Sequence, residues 1–370
     1  IQAGNQRFRG SFSGDGTRLV TATDEGPLQL WRLNESNLAF EPADELAPAS
    51  AGFHTALFAG AWAQTPQIVA LAPHGLRIWT RTASGEWNAA PDLTPGTDAD
   101  ALWALDHSAS RLAVTCPAEA QGRYGLCLFK LAPDAPAVEK SRPLHGKPLR
   151  SIDFSPDGRT LLTAAGDGLV CLWRPGSNLE TSCWGAGGSA GRPVNQALFD
   201  AQGERILVAA ADDAFRIFAR NGNLLFDSSD RDHSGRSGQK THNSGVVAIA
   251  SSRDGQTLVT ADVDGRIAFW DIETWSAPRL AMIRRQDLEI SDVLFSPDDR
   301  KLLTASLDGT IALWDRQTGE QLADFAHNAA VADIAFTADG QRMMSLSVQD
   351  LSARLWSLQP VTRISHTLPD

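Results

Sequence analysis

The chain has 370 residues, 42% of them hydrophobic, and a net charge of -11 with no run of Lys or Arg. That balance excludes the basic stripe a phosphate backbone requires, so nucleic acid is not an expected partner. No stretch approaches the roughly 18 consecutive apolar residues of a membrane-spanning helix, no signal-peptide pattern opens the chain, and 31 glycines with 19 prolines fit a protein rich in turns.

Taken in chain order, the predicted elements are short β-prone runs that repeat. The first unit, "FSGDGTRLVTATDEGPLQLW", ends at Trp31 and follows an inner-strand-like "RFRGSF". Weaker copies end at Trp79 and Phe129, and "FSPDGRTLLTAAGDGLVCLW" closes at Trp173. "FDAQGERILVAAADDAFRIF" ends at Phe218 and "SSRDGQTLVTADVDGRIAFW" at Trp270. The stretch from Phe295 to Leu322 is the clearest. There Ser296-Pro297-Asp298-Asp299 predicts a turn between antiparallel strands, and Thr318-Gly319 predicts the turn into a fourth strand. Between them Asp308-Gly309 predicts a two-residue hairpin with φ > 0 at both residues. "FTADGQRMMSLSVQDLSARLW" ends the series at Trp356, and "PVTRISHT" is expected to supply the outer strand of the last unit.

The eight anchor aromatics are 42 to 52 residues apart, and their units account for the whole chain. Apolar positions in "LLTAS" and "TIALW" are nearly continuous, so both faces of each small sheet must be covered. Stacked copies of the unit provide that cover.

The units resemble the WD-repeat family of β-propellers. The resemblance rests on the period, on an Asp-Gly hairpin ahead of a tryptophan, and on Trp-Asp dipeptides at Trp270-Asp271 and Trp314-Asp315. A His twelve residues before the proline-turn Asp adds to it: His145 before Asp157, His242 before Asp254, and His327 before Asp339. The resemblance implies an all-β, eight-bladed propeller of four-stranded antiparallel blades, with a seven-bladed ring containing one irregular unit as the alternative. The anchor aromatics would lie on third strands. The ring would close by side-chain packing between the first and last blades, with no strand borrowed across the seam.

The resemblance also implies a hydrogen-bonded chain of His, a second-strand hydroxyl, the hairpin Asp and the Trp in each blade. Transferred by residue, it selects His145, Asp167 and Trp173 with Ala165 at the hydroxyl position, and His242, Asp264 and Trp270 with Asp262 there. The seventh unit gives Ser306, Asp308 and Trp314 with Gln286 in place of His, and the eighth gives His327, Asp350 and Trp356 with Val348. On this count no unit holds the full set, and these residues are expected to be structural.

Chemistry is not expected. His54, His74, His107 and His233 are scattered without carboxylates at a repeated spacing, and "GAGGSAGR" (185–192) matches neither G-x-G-x-x-G nor a P-loop. No catalytic, cofactor-binding or metal-binding residues are selected, and no cofactor. Cys116 with Cys127, and Cys171 with Cys183, flank hairpins where disulfides are geometrically conceivable, but no metal-site spacing appears. Reduced thiols are expected because a ring of this size needs no staple, and that favours the cytoplasm.

Two functions from different classes remain: a non-catalytic interaction platform, favoured here, and a propeller enzyme or small-molecule binder using the central channel. The propeller is expected to be a single monomeric domain over 1–370 within a longer protein, its partner another protein or an attached domain. Resemblance implies that such propellers are often carboxy-terminal sensor or scaffold regions of bacterial proteins. The family's contact positions select Phe8, Asp24, Thr55, Leu57, Pro148, Arg150, Asn195, Glu289, Ser291, Leu307 and Gln349. Of these, Phe8 and Arg150 are the residue types that most often dominate interfaces. The polar segment 227–242 is read as a loop beside them.

Overall fold

In the computed structural model the described elements are all β-strands, arranged in eight antiparallel sheets that follow one another along the chain. The structure describes residues 8–358 apart from 14–16, 24–26, 35–38, 49–52, 54, 60–65, 73–74, 83, 94–101, 107, 109, 118–123, 132–136, 141–144, 175–179, 189–190, 230–240, 273, 275–278, 338 and 348–351. Each sheet is one blade, spanning 8–47, 55–89, 103–140, 149–185, 194–227, 246–285, 290–326 and 331–357. Blade 4 shows the pattern: Leu149–Phe154 innermost, then Leu161–Ala165, Leu169–Arg174 and, outermost, Glu180–Gly185. Seven blades have four strands, and the eighth has three among the described residues. "PVTRISHT" lies outside the described residues. All eight anchor aromatics fall on third strands, as the period predicts.

Two turn types build the blade. The turn after the innermost strand is held by a Ser-x-Asp clasp: in blade 4 the Asp157 carboxylate accepts from the Ser155 hydroxyl at 2.5 Å and from the Arg159 N–H at 3.0 Å. These bonds hold the carboxyl of Asp157 below the usual range, and the Ser296 and Thr337 hydroxyls do the same for Asp298 and Asp339. The turn between second and third strands departs from the expected two-residue hairpin. The Gly309 N–H donates to the Ser306 carbonyl at 3.1 Å, and of the Asp308-Gly309 pair only Gly309 has positive φ, at 89°. It is therefore a tight turn across Leu307 and Asp308 followed by a left-handed glycine, the three-residue alternative to the two-residue hairpin.

The core lies between blades. Each anchor aromatic from blade 2 onward packs against the preceding blade: Trp173 against Leu126 and Leu128, Phe218 against Leu162 and Val170, and Trp314 against Val259 and Phe269. Apolar residues two positions beyond the anchor reach back in the same direction. Leu131 joins the core of blade 2, Ile272 that of blade 5, and Leu358 that of blade 7. Leu33, at the equivalent place in blade 1, packs with Met344 and Leu355 of blade 8. The seam thus closes with the contact used elsewhere in the ring. The first described strand, Phe8–Phe12, belongs to blade 1 and not to blade 8, as expected.

Innermost strands leave a free edge, which would invite further pairing. Side chains from the preceding blade occupy it. Ser151 Oγ donates to the Ala197 carbonyl at 2.9 Å, Asp153 Oδ2 accepts from the Phe199 N–H at 2.7 Å, and Gln196 Oε1 accepts from the Ile249 N–H at 2.7 Å. Burial pushes the carboxyl of Asp153 up to about 6, and that of Asp292 likewise.

The expectation of reduced thiols is overturned. Cys171 and Cys183 stand directly opposite on the third and fourth strands of blade 4 and form a disulfide, with Cα atoms 4.1 Å apart. Such close cross-strand pairs bring two Cβ atoms within bridging reach. Cys127 is also disulfide-bonded.

Candidate interaction face

The loops entering the innermost strands and the turns between second and third strands share one side of the ring, here called the His face. Its frame is a hydrogen-bonded cluster within each regular blade. In blade 6 the Trp270 Nε1–H donates to Thr260 Oγ1 at 2.9 Å, His242 Nε2 meets the same oxygen at 2.7 Å, and His242 Nδ1 meets Asp262 Oδ2 at 2.9 Å. A carboxylate only accepts, so Nδ1 carries the proton given to Asp262 and Nε2 accepts the Thr260 hydroxyl. Every proton in the cluster then has an acceptor.

Blade 4 repeats this with Trp173, Thr163 and His145 at 2.8 and 2.9 Å, and His145 Nδ1 lies 3.2 Å from both oxygens of Asp167. Burial lowers the pKa of His145 despite the Asp167 carboxylate, which suits the neutral ring this geometry requires. In blade 8 the hub is Ser345, 2.6 Å from His327 Nε2 and 2.7 Å from Trp356 Nε1. In blade 7 an amide replaces the imidazole. Gln286 Oε1 accepts from the Thr304 hydroxyl that also receives Trp314 Nε1–H, while Gln286 Nε2 donates to Thr310 Oγ1 at 2.8 Å, which passes the chain to Asp308 at 2.6 Å.

These clusters correct the sequence reading in three places. The hydroxyl is Thr163, Thr260, Thr304 or Ser345, not the residue at 165, 262, 306 or 348, so blades 4 and 6 do hold a complete set. The Asp facing His242 is the buried Asp262. Asp264 is exposed, and its N–H donates to Asp262 Oδ1 at 3.0 Å. Ser306 binds the Leu288 carbonyl instead of the tryptophan. The missed signal is a double spacing, His to hydroxyl at 18 and hydroxyl to Trp at 10, seen at 145/163/173 and 242/260/270.

Among the expected contact residues, Pro148 and Arg150 are exposed, and Asn195, Glu289 and Ser291 are half-buried. Leu307 is 43% exposed. Arg150 Nη1 donates to Asn195 Oδ1 of the next blade, and Asn195 Nδ2 donates to the Val246 carbonyl at 2.7 Å, so these two side chains also tie blades 4, 5 and 6 together. Ser291 Oγ donates to the Val331 carbonyl at 2.8 Å in the same way. Leu57 is a correction, since it is buried in the core between blades 2 and 3. The innermost strands of blades 4 to 8 carry a bulge near their start that blade 2 lacks, and a one-residue difference moves every later side chain to the other face. Phe8 and Thr55 begin innermost strands, described in backbone only. Asp24, Gln349 and Asp350 lie outside the described residues, as does most of the 227–242 segment. No group of three or more His, Cys, Asp or Glu side chains among the described residues is arranged to hold a metal ion.

Eight antiparallel blades cored between neighbours, three of them (4, 6 and 8) locked by His–hydroxyl–Trp clusters, define a WD-repeat β-propeller. The model of the WD domain, G-beta repeat, matches residues 139–174, 235–271 and 281–315, which carry the anchors of blades 4, 6 and 7, so the chain carries repeats of that family. No curated protein matches the sequence. Among solved structures, the chain is similar to Chaetomium thermophilum Sqt1 bound to the N-terminus of the ribosomal protein L10, with 15% identity, a TM-score of 0.70, and coverage of 93% of this chain and 95% of that one. Sqt1 solved by molecular replacement gives 13% identity, a TM-score of 0.73, and coverage of 93% and 94%. At these identities the similarity is one of fold.

Proposed function

We propose that the chain is a non-catalytic protein-interaction platform that engages a partner, or a domain attached to the same chain, through the His face around the channel mouth. The observation that carries this reading is how the face divides its polar groups. The His, hydroxyl and Trp groups are consumed inside blades, while Pro148, Arg150 and Leu307 remain at the surface on a rigid frame. The fold shared with Sqt1, solved with a ribosomal-protein N-terminus bound, supports a protein segment as the ligand. The charge of -11 supports a protein rather than nucleic acid. Cores shared between successive blades support a monomeric ring.

No helix among the described residues is long and apolar enough to cross a membrane. The cytoplasmic expectation drew on reduced thiols, and the Cys171–Cys183 disulfide removes that support and favours an oxidising compartment. Affinity purification coupled to mass spectrometry tests the platform. Arg150→Glu combined with Glu289→Lys should deplete the associated proteins, whereas Asn221→Lys with Gln317→Lys on the opposite face should not. Equal recovery from both pairs, with folding intact, would contradict the reading.

A further inference from the structure

On the His face, blades 6 and 7 expose three aliphatic side chains. Val263 is 41% exposed, Leu288 53% and Leu307 43%. Leu307 stands where blade 4 has Gly166, and Leu288 where blades 4, 6 and 8 have Lys147, Ser244 and Ala329. Val263 is the blade 6 residue at the position of Leu307, so an aliphatic recurs there, whereas Leu288 has no large apolar equivalent in blades 4, 6 or 8 and answers to no demand of the blade.

The three belong to one patch. The Leu307 N–H donates to the Glu289 carbonyl at 2.9 Å, and Ser306 Oγ donates to the Leu288 carbonyl at 3.2 Å, which joins the two segments of blade 7. Across the blade interface, a Cβ built on Gly265 would lie 2.6 Å from the Leu288 carbonyl oxygen, which places the turn carrying Val263 against that of Leu288. Acidic side chains edge the patch: Asp264 and Asp287 are exposed and Glu289 half-buried. Cations lie on its outer side, where Arg266 pairs in register with Arg285. The blade 4 side differs, with exposed Lys147 and Arg150.

We propose that this patch is the anchoring subsite of the His face and takes an apolar peptide segment flanked by Lys or Arg. Aliphatic contact supplies the burial, and the neighbouring carboxylates select the sign of the flanking charge. The proposal rests on the platform reading and narrows it to one side of the ring and one chemistry. A second copy of this acidic chain fits poorly, since it would bring like charge to the carboxylates.

Fluorescence anisotropy with the full chain tests it, using a labelled short peptide of alternating Leu and Lys with Leu/Glu and Ser/Lys peptides as comparators. The Leu/Lys peptide should bind, both comparators should bind much more weakly, and Leu288→Ser with Leu307→Ser should weaken binding about tenfold or more without lowering the thermal midpoint. No binding of the Leu/Lys peptide, or equal binding by the double variant, overturns the proposal. Loss in Arg150→Glu alone overturns the patch but leaves the His face as the binding surface. Undiminished binding in both variants overturns patch and face together.

Discussion

Replacing Thr260 by Val probes the cluster that frames each blade. The side chain is fully buried, and its hydroxyl serves both Trp270 Nε1–H and His242 Nε2. Valine fills nearly the same space, so little cavity forms and the loss is polar. Two buried groups lose their partner at about 1 to 3 kcal/mol each, which sums to about 2 to 6 kcal/mol. The chain contains its own control. In blades 3 and 5 the anchor is Phe129 or Phe218, and the register puts Val114 or Val208 at the hub position. Trp270→Phe added to Thr260→Val rebuilds that native pair and leaves only the His242 nitrogen unserved. Its cost should fall short of the sum of the single changes by about 1 to 2 kcal/mol, as for directly coupled residues. Urea unfolding followed by circular dichroism measures all four corners of the cycle. An unchanged midpoint in Thr260→Val, or strict additivity in the double variant, would refute the shared-hydroxyl argument.

Three further outcomes are expected. Leu33→Ala removes the contact of blade 1 with Met344 and Leu355 at the seam and should cost about 2 to 5 kcal/mol, read from the urea midpoint; no loss would mean the seam is held otherwise. Asp153→Asn keeps an acceptor for the Phe199 N–H while removing a carboxyl whose pKa rises from 3.8 to about 6 on folding. Deprotonation therefore costs folded-state stability as pH rises from about 4 through 6, so the variant should be more stable at pH 7.5 by about 1 to 3 kcal/mol and gain nothing near pH 4, and thermal melts showing a gain independent of pH would exclude this cause. Peptide mapping without reduction should recover Cys171 linked to Cys183, and free thiols at both would contradict the cross-strand bridge.

The ring was legible because its signals are periodic. Turn residues and anchor aromatics recur, so strand order, blade number and the burial of Trp173, Trp270 and Trp314 followed from the spacing. The hub hydroxyl was not found because the second strand alternates with a period of two. Positions 163 and 165, or 260 and 262, therefore share a face, and no burial pattern tells them apart. Only the tryptophan and histidine reaching for the same atom decides between them. Leu57 was misplaced for the opposite reason, since a one-residue bulge shifts the face and leaves no turn residue to announce itself. The disulfide needed the cross-strand register, which flanking hairpins suggest without fixing. Leu288 was not selected from the sequence, and only its exposure of 53% shows that it faces outward.

Site-specific photo-crosslinking in the native host tests the central claim most directly. A photoreactive amino acid placed at Arg150, Glu289 or Leu307 samples the His face, and one at Asn221 or Gln317 samples the turns on the opposite side. The account predicts discrete protein adducts from the first three positions and none from the last two. Adducts confined to Asn221 and Gln317, or equal from both faces, would contradict it.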